Sequence, residues 1–160
     1  LEPVDAAGTV AECCAMLDGL ASTKQISLTT DLPIGPLAIQ ADKKALKQVI
    51  INLINNALKF TPPEGRIHIT ARMSVDSIEG IELIVTDSGI GMGEAPDAMS
   101  SNQKAGLSGS TKSQYRDENS GMGLGLSIVS SVLKLHGGKI RFTDVDEGGT
   151  RATVWLPRHQ

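Results

Sequence analysis

Residues 42 to 60 carry the feature that most narrows the possible folds. Leu46, Val49, Ile50, Leu53, Ile54 and Ala57 recur at three- and four-residue spacing. At about 100° per residue they form one broad apolar face of a helix. A face that wide has to be covered, and a sheet is the cover the rest of the chain offers. Asp42 supplies an N-cap and Thr61-Pro62-Pro63 a stop after Phe60. Gln25 to Thr30, Leu37 to Ala41, Gly65 to Val75 and Glu79 to Thr86 read as strands, the last two joined by a turn containing Asp76 and Ser77. Lys139 to Val145 and Thr150 to Leu156 read as a closing hairpin with Gly148-Gly149 in its turn. Two further helices are expected. One spans Asp5 to Ala21, with a stripe of Val10, Cys14, Leu17 and Leu20. The other spans Leu124 to His136 and is halted by Gly137-Gly138. Three helices and roughly six strands predict an α/β fold: a two-layer sandwich with the helices on one face of a mixed, mostly antiparallel sheet. At 160 residues the chain is long enough for one complete core, and residues 1–160 read as one domain.

The same helix holds an anomaly. Asn52, Asn55 and Asn56 lie in its interior, although asparagine is a mediocre helix former. On the wheel Asn52, Asn56 and Lys59 fall together beside the apolar face, within an arc of roughly 60°. Asn55 falls farther round, toward solvent. A carboxamide oxygen is a neutral ligand for a hard cation such as magnesium, and a lysine one turn on can reach a phosphate. From this helix alone, ordinary surface polarity explains the stripe equally well.

Two glycine clusters follow. In V-T-D-S-G-I-G-M-G, Val85 to Gly93, a strand delivers Asp87 at its end and glycines come after it. An ionised carboxylate only accepts hydrogen bonds, which suits an exocyclic amine such as that of adenine. Glycines let backbone approach a flat ring. A plain Asp-Ser-Gly turn is the alternative. In S-G-M-G-L-G-L-S-I-V, Ser120 to Val129, Gly121, Gly123 and Gly125 precede or open a helix. The unpaired amides and dipole of a helix start make a phosphate site. The spacing is neither a P-loop nor G-x-G-x-x-G, because position 126 is Leu. Residues 88 to 123 between these clusters are rich in Gly and Ser with little periodicity, as functional or mobile segments are.

Composition removes other classes. The formal charge is −3, with both signs interspersed, and aromatics make up 2%. The charge balance argues against a nucleic-acid binder, which would show a basic face, and the scarcity of aromatics argues against a base-stacking platform. Apolar runs are too short for a membrane-spanning helix, no signal-peptide pattern occurs, and the chain reads as soluble, without membrane contact of its own. Cys13 and Cys14 are adjacent and read as small core residues in a reducing compartment. The start at Leu1-Glu2-Pro3 suggests a domain cut from a longer protein.

Taken together and in order, N-L-I-N-N-A-L-K-F-T-P, D-S-G-I-G-M and G-M-G-L-G-L-S-I-V closely resemble the ATP-binding catalytic domain of bacterial sensor histidine kinases. That domain belongs to the GHKL superfamily, with gyrase, heat-shock chaperone and mismatch-repair ATPases. The resemblance extends to D-K-K-A-L-K-Q-V, H-G-G-K-I and G-G-T-R-A-T-V-W-L-P, and so covers essentially the whole chain. It implies ATP and Mg²⁺ as ligands. Asn56 would coordinate the ion, Asn52 would support the ion or the phosphates, and Lys59 would contact a phosphate. Phe60 would lie near the nucleotide. Asp87 would accept from the adenine amine above a floor shaped by Gly89, Gly91 and Met92. Gly121, Met122, Gly123, Leu124, Gly125 and Leu126 would border the triphosphate. Thr150 would help bind adenine through water. Residues 93–120 would form a mobile ATP lid, with Lys112 and Arg116 as its phosphate-binding candidates.

Position 52 separates branches of the superfamily. Hydrolytic relatives carry a glutamate there as general base, and an asparagine amide cannot take up a proton near neutral pH. Neutral imidazole is already a nucleophile, so transfer to histidine can rest on positioning and charge stabilisation. Asn52 therefore favours phosphotransfer in two-component signalling. None of His68, His136 and His159 lies in a phosphoacceptor context such as S-H-E-L-R-T-P. The acceptor is expected on a separate dimerisation domain of a homodimeric, cytoplasmic or membrane-anchored parent, which then serves a response regulator. The lid departs from the family in having no Phe between residues 61 and 141; Leu107 or Tyr115 would have to replace it in docking. That departure motivates one alternative, a non-catalytic kinase-like interaction domain. A second alternative is a hydrolytic ATPase.

Overall fold

The computed structural model describes residues 1–74, 79–89, 122–145 and 148–159, with residues 122–124 described by their backbone only. The described elements, in order, are β1 (Glu2–Asp5), α1 (Ala6–Thr23), β2 (Ser27–Asp31), β3 (Ala38–Ala41), α2 (Lys43–Phe60), β4 (Arg66–Met73), β5 (Gly80–Asp87), α3 (Met122–Leu135), β6 (Lys139–Asp144) and β7 (Thr150–Pro157).

Five strands form one sheet in the order β2-β4-β5-β7-β6. β2 runs parallel to β4, and the other neighbours are antiparallel. β1 and β3 pair separately as a small antiparallel sheet. All three described helices lie on one side of the large sheet. α1 crosses β2 and β4, α2 crosses β4 and β5, and α3 lies over β6, with α2 in contact with both other helices. This is the α/β two-layer sandwich that the periodicities predict.

The core follows from strand alternation. Ile67, Ile69 and Ala71 of β4 stand in register with Asp87, Val85 and Leu83 of β5. Ile81, Leu83 and Val85 stand in register with Leu156, Val154 and Ala152 of β7. All of these except Asp87 are buried, and the α2 residues Leu46, Val49, Ile50, Leu53, Ile54 and Ala57 are buried in the same cluster. Asp87 therefore extends the row of helix-facing positions past the end of the apolar core. Leu58 is also buried, one position beyond the predicted stripe.

Local signals behave as their chemistry requires. The Asp42 carboxylate accepts from Lys44 N at 3.0 Å and Ala45 N at 3.2 Å, capping α2. α3 ends in Gly137 at φ +73, where Gly137 N donates to Lys134 O and Gly138 N to Leu133 O, satisfying the last carbonyls. α1 ends in the same pattern, with Gln25 at φ 63 in the glycine position.

Three expectations need amendment. β1 is an additional strand; it contains Pro3 and is too short to show alternation. Leu20 is 45% exposed, because the buried face of α1 runs through Ala6, Val10, Cys13 and Ala21, and Leu20 is turned one residue away from it. The last helix begins at Met122, ahead of the expected Leu124. Cys13 and Cys14 are both buried, as expected of core residues.

Candidate functional site

Two groups of residues meet at the two ends of one polar edge of α2. The first group surrounds Asp87 at the end of β5. One oxygen of its carboxylate accepts from Gly89 N at 2.8 Å and from Thr150 N at 3.2 Å. The first bond is the local turn that Asp favours two residues on, and the second ties β5 to the start of β7. Held by two backbone donors, the carboxylate has a fixed direction.

Glycine permits this convergence where other residues would collide. A Cβ at Gly89 would run into the carbonyl of Phe60, the last residue of α2. A Cβ at Gly149, which has φ +108, would run into the carbonyl of Asp87. A Cβ at Gly65 would strike the Thr61 side chain and lie 3.1 Å from Ser88 Oγ, which itself accepts from Arg66 N at 2.8 Å. The end of α2 and the Gly149-Thr150 corner thus each lie against the backbone of the Asp87 turn. Gly65, Ser88 and Gly149 were not among the predicted site residues. The signal for them was present in P-P-E-G and G-G-T, but each reads locally as a turn.

The second group lies one to two turns back along α2. Asn52 Nδ2 donates to Gly125 O at 3.5 Å, a long bond across the seam between α2 and α3. A Cβ placed on Gly125 would lie 3.9 Å from Asn52 Oδ1 and 4.0 Å from Asn56 Oδ1, so both carboxamides face that glycine. Asn52 and Asn56 are partly buried, and Asn55 and Lys59 are exposed, as the helical wheel predicts. The Asn56 Nδ2 group is buried without a hydrogen-bond partner. A buried donor left unpaired is unfavourable, and an amide is turned over by a simple rotation. The rotation would present the Asn56 oxygen in its place, the neutral oxygen donor that a hard cation could use. Among the described residues no cluster of three or more His, Cys, Asp or Glu suits a metal. An ion held here would take its remaining ligands from water and a bound phosphate, as magnesium commonly does.

The first turn of α3, which runs from Met122, lies beside the Asn52–Asn56 edge at Gly125, and N–H groups in the first turn of a helix have no partner within the helix itself. Gly125 and Leu126 are partly buried. Phe60, whose carbonyl lies against Gly89, is partly buried. From Asn52 to Phe60 the edge runs roughly 12 Å at 1.5 Å per residue. Gly91, Met92, Lys112, Arg116, Gly121 and the whole predicted lid, 93–120, lie outside the described residues, as do Leu107 and Tyr115.

Residues 41–160 match the family described as histidine kinase-, DNA gyrase B-, and HSP90-like ATPase. The chain belongs to that ATPase family. Within it, the chain is 35% identical over 153 residues to histidine protein kinase DivJ of Caulobacter vibrioides, covering 96% of this chain and 24% of the relative. It is 35% identical over 137 residues to the circadian input-output histidine kinase CikA of Synechococcus elongatus, covering 83% of this chain and 17% of that one. The chain thus spans about a quarter or less of these relatives' length. Among solved structures, the catalytic domain of histidine kinase ThkA superposes with a TM-score of 0.75 at 23% identity, over 98% of this chain and 95% of that one. Full-length ShkA in complex with AMPPNP gives 0.72 at 28%, over 98% of this chain and 31% of that one. The fold is that of histidine kinase catalytic domains in this ATPase family.

His68 Nδ1 lies 2.7 Å from Thr29 Oγ1 on exposed strand surface, and His159 is exposed. His136 is buried and joins two helices. Among the described residues, no helix is long and apolar enough to cross a membrane.

Proposed function

We propose that residues 1–160 form a kinase domain that binds Mg-ATP along the polar edge of α2. Its γ-phosphoryl group is passed to a histidine on a dimerisation domain of the same protein, in cytoplasmic two-component signalling. The observation that carries this reading is the placement of Asp87 and the Asn52–Asn56 pair at opposite ends of one helical edge, against a glycine-bearing helix start. An adenine amine at one end and a triphosphate at the other suit the two chemistries. AMPPNP, the ligand named with ShkA, is an ATP analogue.

In this reading Asp87 accepts from the adenine amine, with Gly89 and the Thr150 corner around the ring. Phe60 lies beside the nucleotide. Lys59 meets a phosphate, and the N–H groups at the start of α3 border the chain of phosphates. Asn56, supported by Asn52, holds Mg²⁺, which supplies neutralisation of the phosphate charge. Gly91, Met92, Gly121, Lys112 and Arg116 complete the site from the segment that includes the lid.

In the transfer, the bond from the γ-phosphorus to the bridging oxygen of ADP breaks. A bond to an imidazole nitrogen forms, and the imidazole proton passes to solvent. The chain's part is positioning and charge stabilisation. Asn52 lacks a basic lone pair for activating water, which favours transfer over hydrolysis. The parent homodimer would supply the acceptor and hand the phosphoryl group to a response regulator.

Calorimetry with Mg-ATP tests the binding step: saturable, magnesium-dependent heat is expected, and none up to millimolar nucleotide counts against it. Mixing the domain with its own histidine-bearing helices should give acid-labile phosphate on histidine. Multiple-turnover phosphate release by the domain alone would point to hydrolysis instead.

A further inference from the structure

α2 and α3 run antiparallel against each other, and the described structure ties them at both ends. Near the candidate site the tie is Asn52 Nδ2 to Gly125 O, at a slack 3.5 Å. At the far end it is His136. Its Nδ1 donates to Val132 O at 2.9 Å, one turn back on its own helix. A carbonyl can only accept, so the ring hydrogen is on Nδ1 and the lone pair on Nε2. That lone pair accepts the backbone N–H of Asp42 at 3.1 Å, across 94 residues of sequence. The ring is 7% exposed. Asp42 is the residue that caps α2, so the bond fixes the point at which the helix starts.

Between the two ties the contact is apolar. Val129 and Leu133 of α3 share one core cluster with Leu46, Val49, Ile50 and Leu53 of α2. Apolar contacts are non-directional and tolerate a small slide or rotation; a hydrogen bond to a single backbone N–H does not. The geometry points to His136 as a positioning residue for the nucleotide site. It sets the register of α3 on α2, and so the placement of the α3 start beside Asn52 and Asn56, roughly 15 Å along α2 from Asp42. This role rests on the nucleotide reading above and adds to it a residue that never touches the ligand.

Two variants of the full 160-residue chain, with Mg-ADP as the probe, test it. His136→Leu keeps the bulk but leaves the Asp42 N–H unpaired; the dissociation constant should rise by about tenfold. His136→Gln places an acceptor oxygen near the Nε2 position, and its affinity should stay within about twofold of the parent. A leucine variant that binds like the parent overturns the proposal. So does a glutamine variant as weak as the leucine variant, because packing rather than the acceptor would then matter.

Hydrogen exchange on the unaltered chain tests the same claim without relying on either variant folding. Coupling is reciprocal, so saturating Mg-ADP should slow exchange at the Asp42 amide beyond any slowing of the β2 amides. Equal slowing at both overturns the positioning role. A parent chain that takes up no Mg-ADP overturns both the role and the nucleotide reading, whereas a binding parent with unaffected variants overturns the role alone.

Discussion

The Asp87 carboxylate and the Thr150 backbone N–H meet at 3.2 Å, 63 residues apart in sequence, where β5 ends and β7 begins. The same oxygen accepts from Gly89 N. Asp87 is thus both a joint in the fold and the candidate purine acceptor. Asp87→Asn separates the two roles, since an amide oxygen can still take both N–H bonds. The variant should melt within a few degrees of the parent while nucleotide affinity falls. A hydrogen bond to a charged group contributes about 1.5–3 kcal/mol, so the loss should be roughly 10- to 150-fold. Thermal melts and calorimetry read the two effects.

Gly149 has φ +108, and a Cβ there meets the Asp87 carbonyl. Gly149→Ala should therefore cost about 2 kcal/mol or more through strain and the displaced corner. A fall in the urea midpoint with little change in slope is the expected signature.

Gln25 occupies a left-handed position at the end of α1, where glycine is the usual occupant. Ile26 behind it is buried, so the turn is anchored. Gln25→Gly should stabilise the fold by about 0.5–1 kcal/mol, the relief of left-handed strain being partly offset by a freer unfolded chain. Denaturant titration measures the sign directly.

Burial pushes the Cys14 thiol up from 9.0 to about 11. Burial also pushes Cys13 up. For Cys14 the folded state holds its proton to higher pH than the unfolded chain does. Its contribution is therefore fully present below about pH 9 and is lost as pH rises through the folded value. The loss amounts to about 2–3 kcal/mol by pH 11. Cys14→Ala should flatten that alkaline limb of the stability profile. In the native parent at pH 8 both thiols should resist a thiol-disulfide reagent, and denaturant should release them.

The sequence by itself determined the elements and the ingredients of the site. The three- and four-residue spacing of Leu46 through Ala57 specified a sheet-covering helix, and the Asp42 cap and the prolines after Phe60 bounded it. The wheel that put the core on one side also put Asn52, Asn56 and Lys59 beside it, because helical angle depends only on local spacing. Runs of strand-forming residues between turn signals likewise marked most of β4, β5 and β7. Tertiary structure alone decided which backbone groups those residues meet. That the Asp87 oxygen binds Thr150 N depends on the register of β5 against β7. That His136 accepts from Asp42 N depends on how α3 lies along α2. Gly65 and Gly149 became part of a site only when the chain brought Thr61, Ser88 and Asp87 against them. Periodicity is a property of neighbours along the chain, whereas these contacts join residues tens of positions apart, and no local pattern encodes their distance.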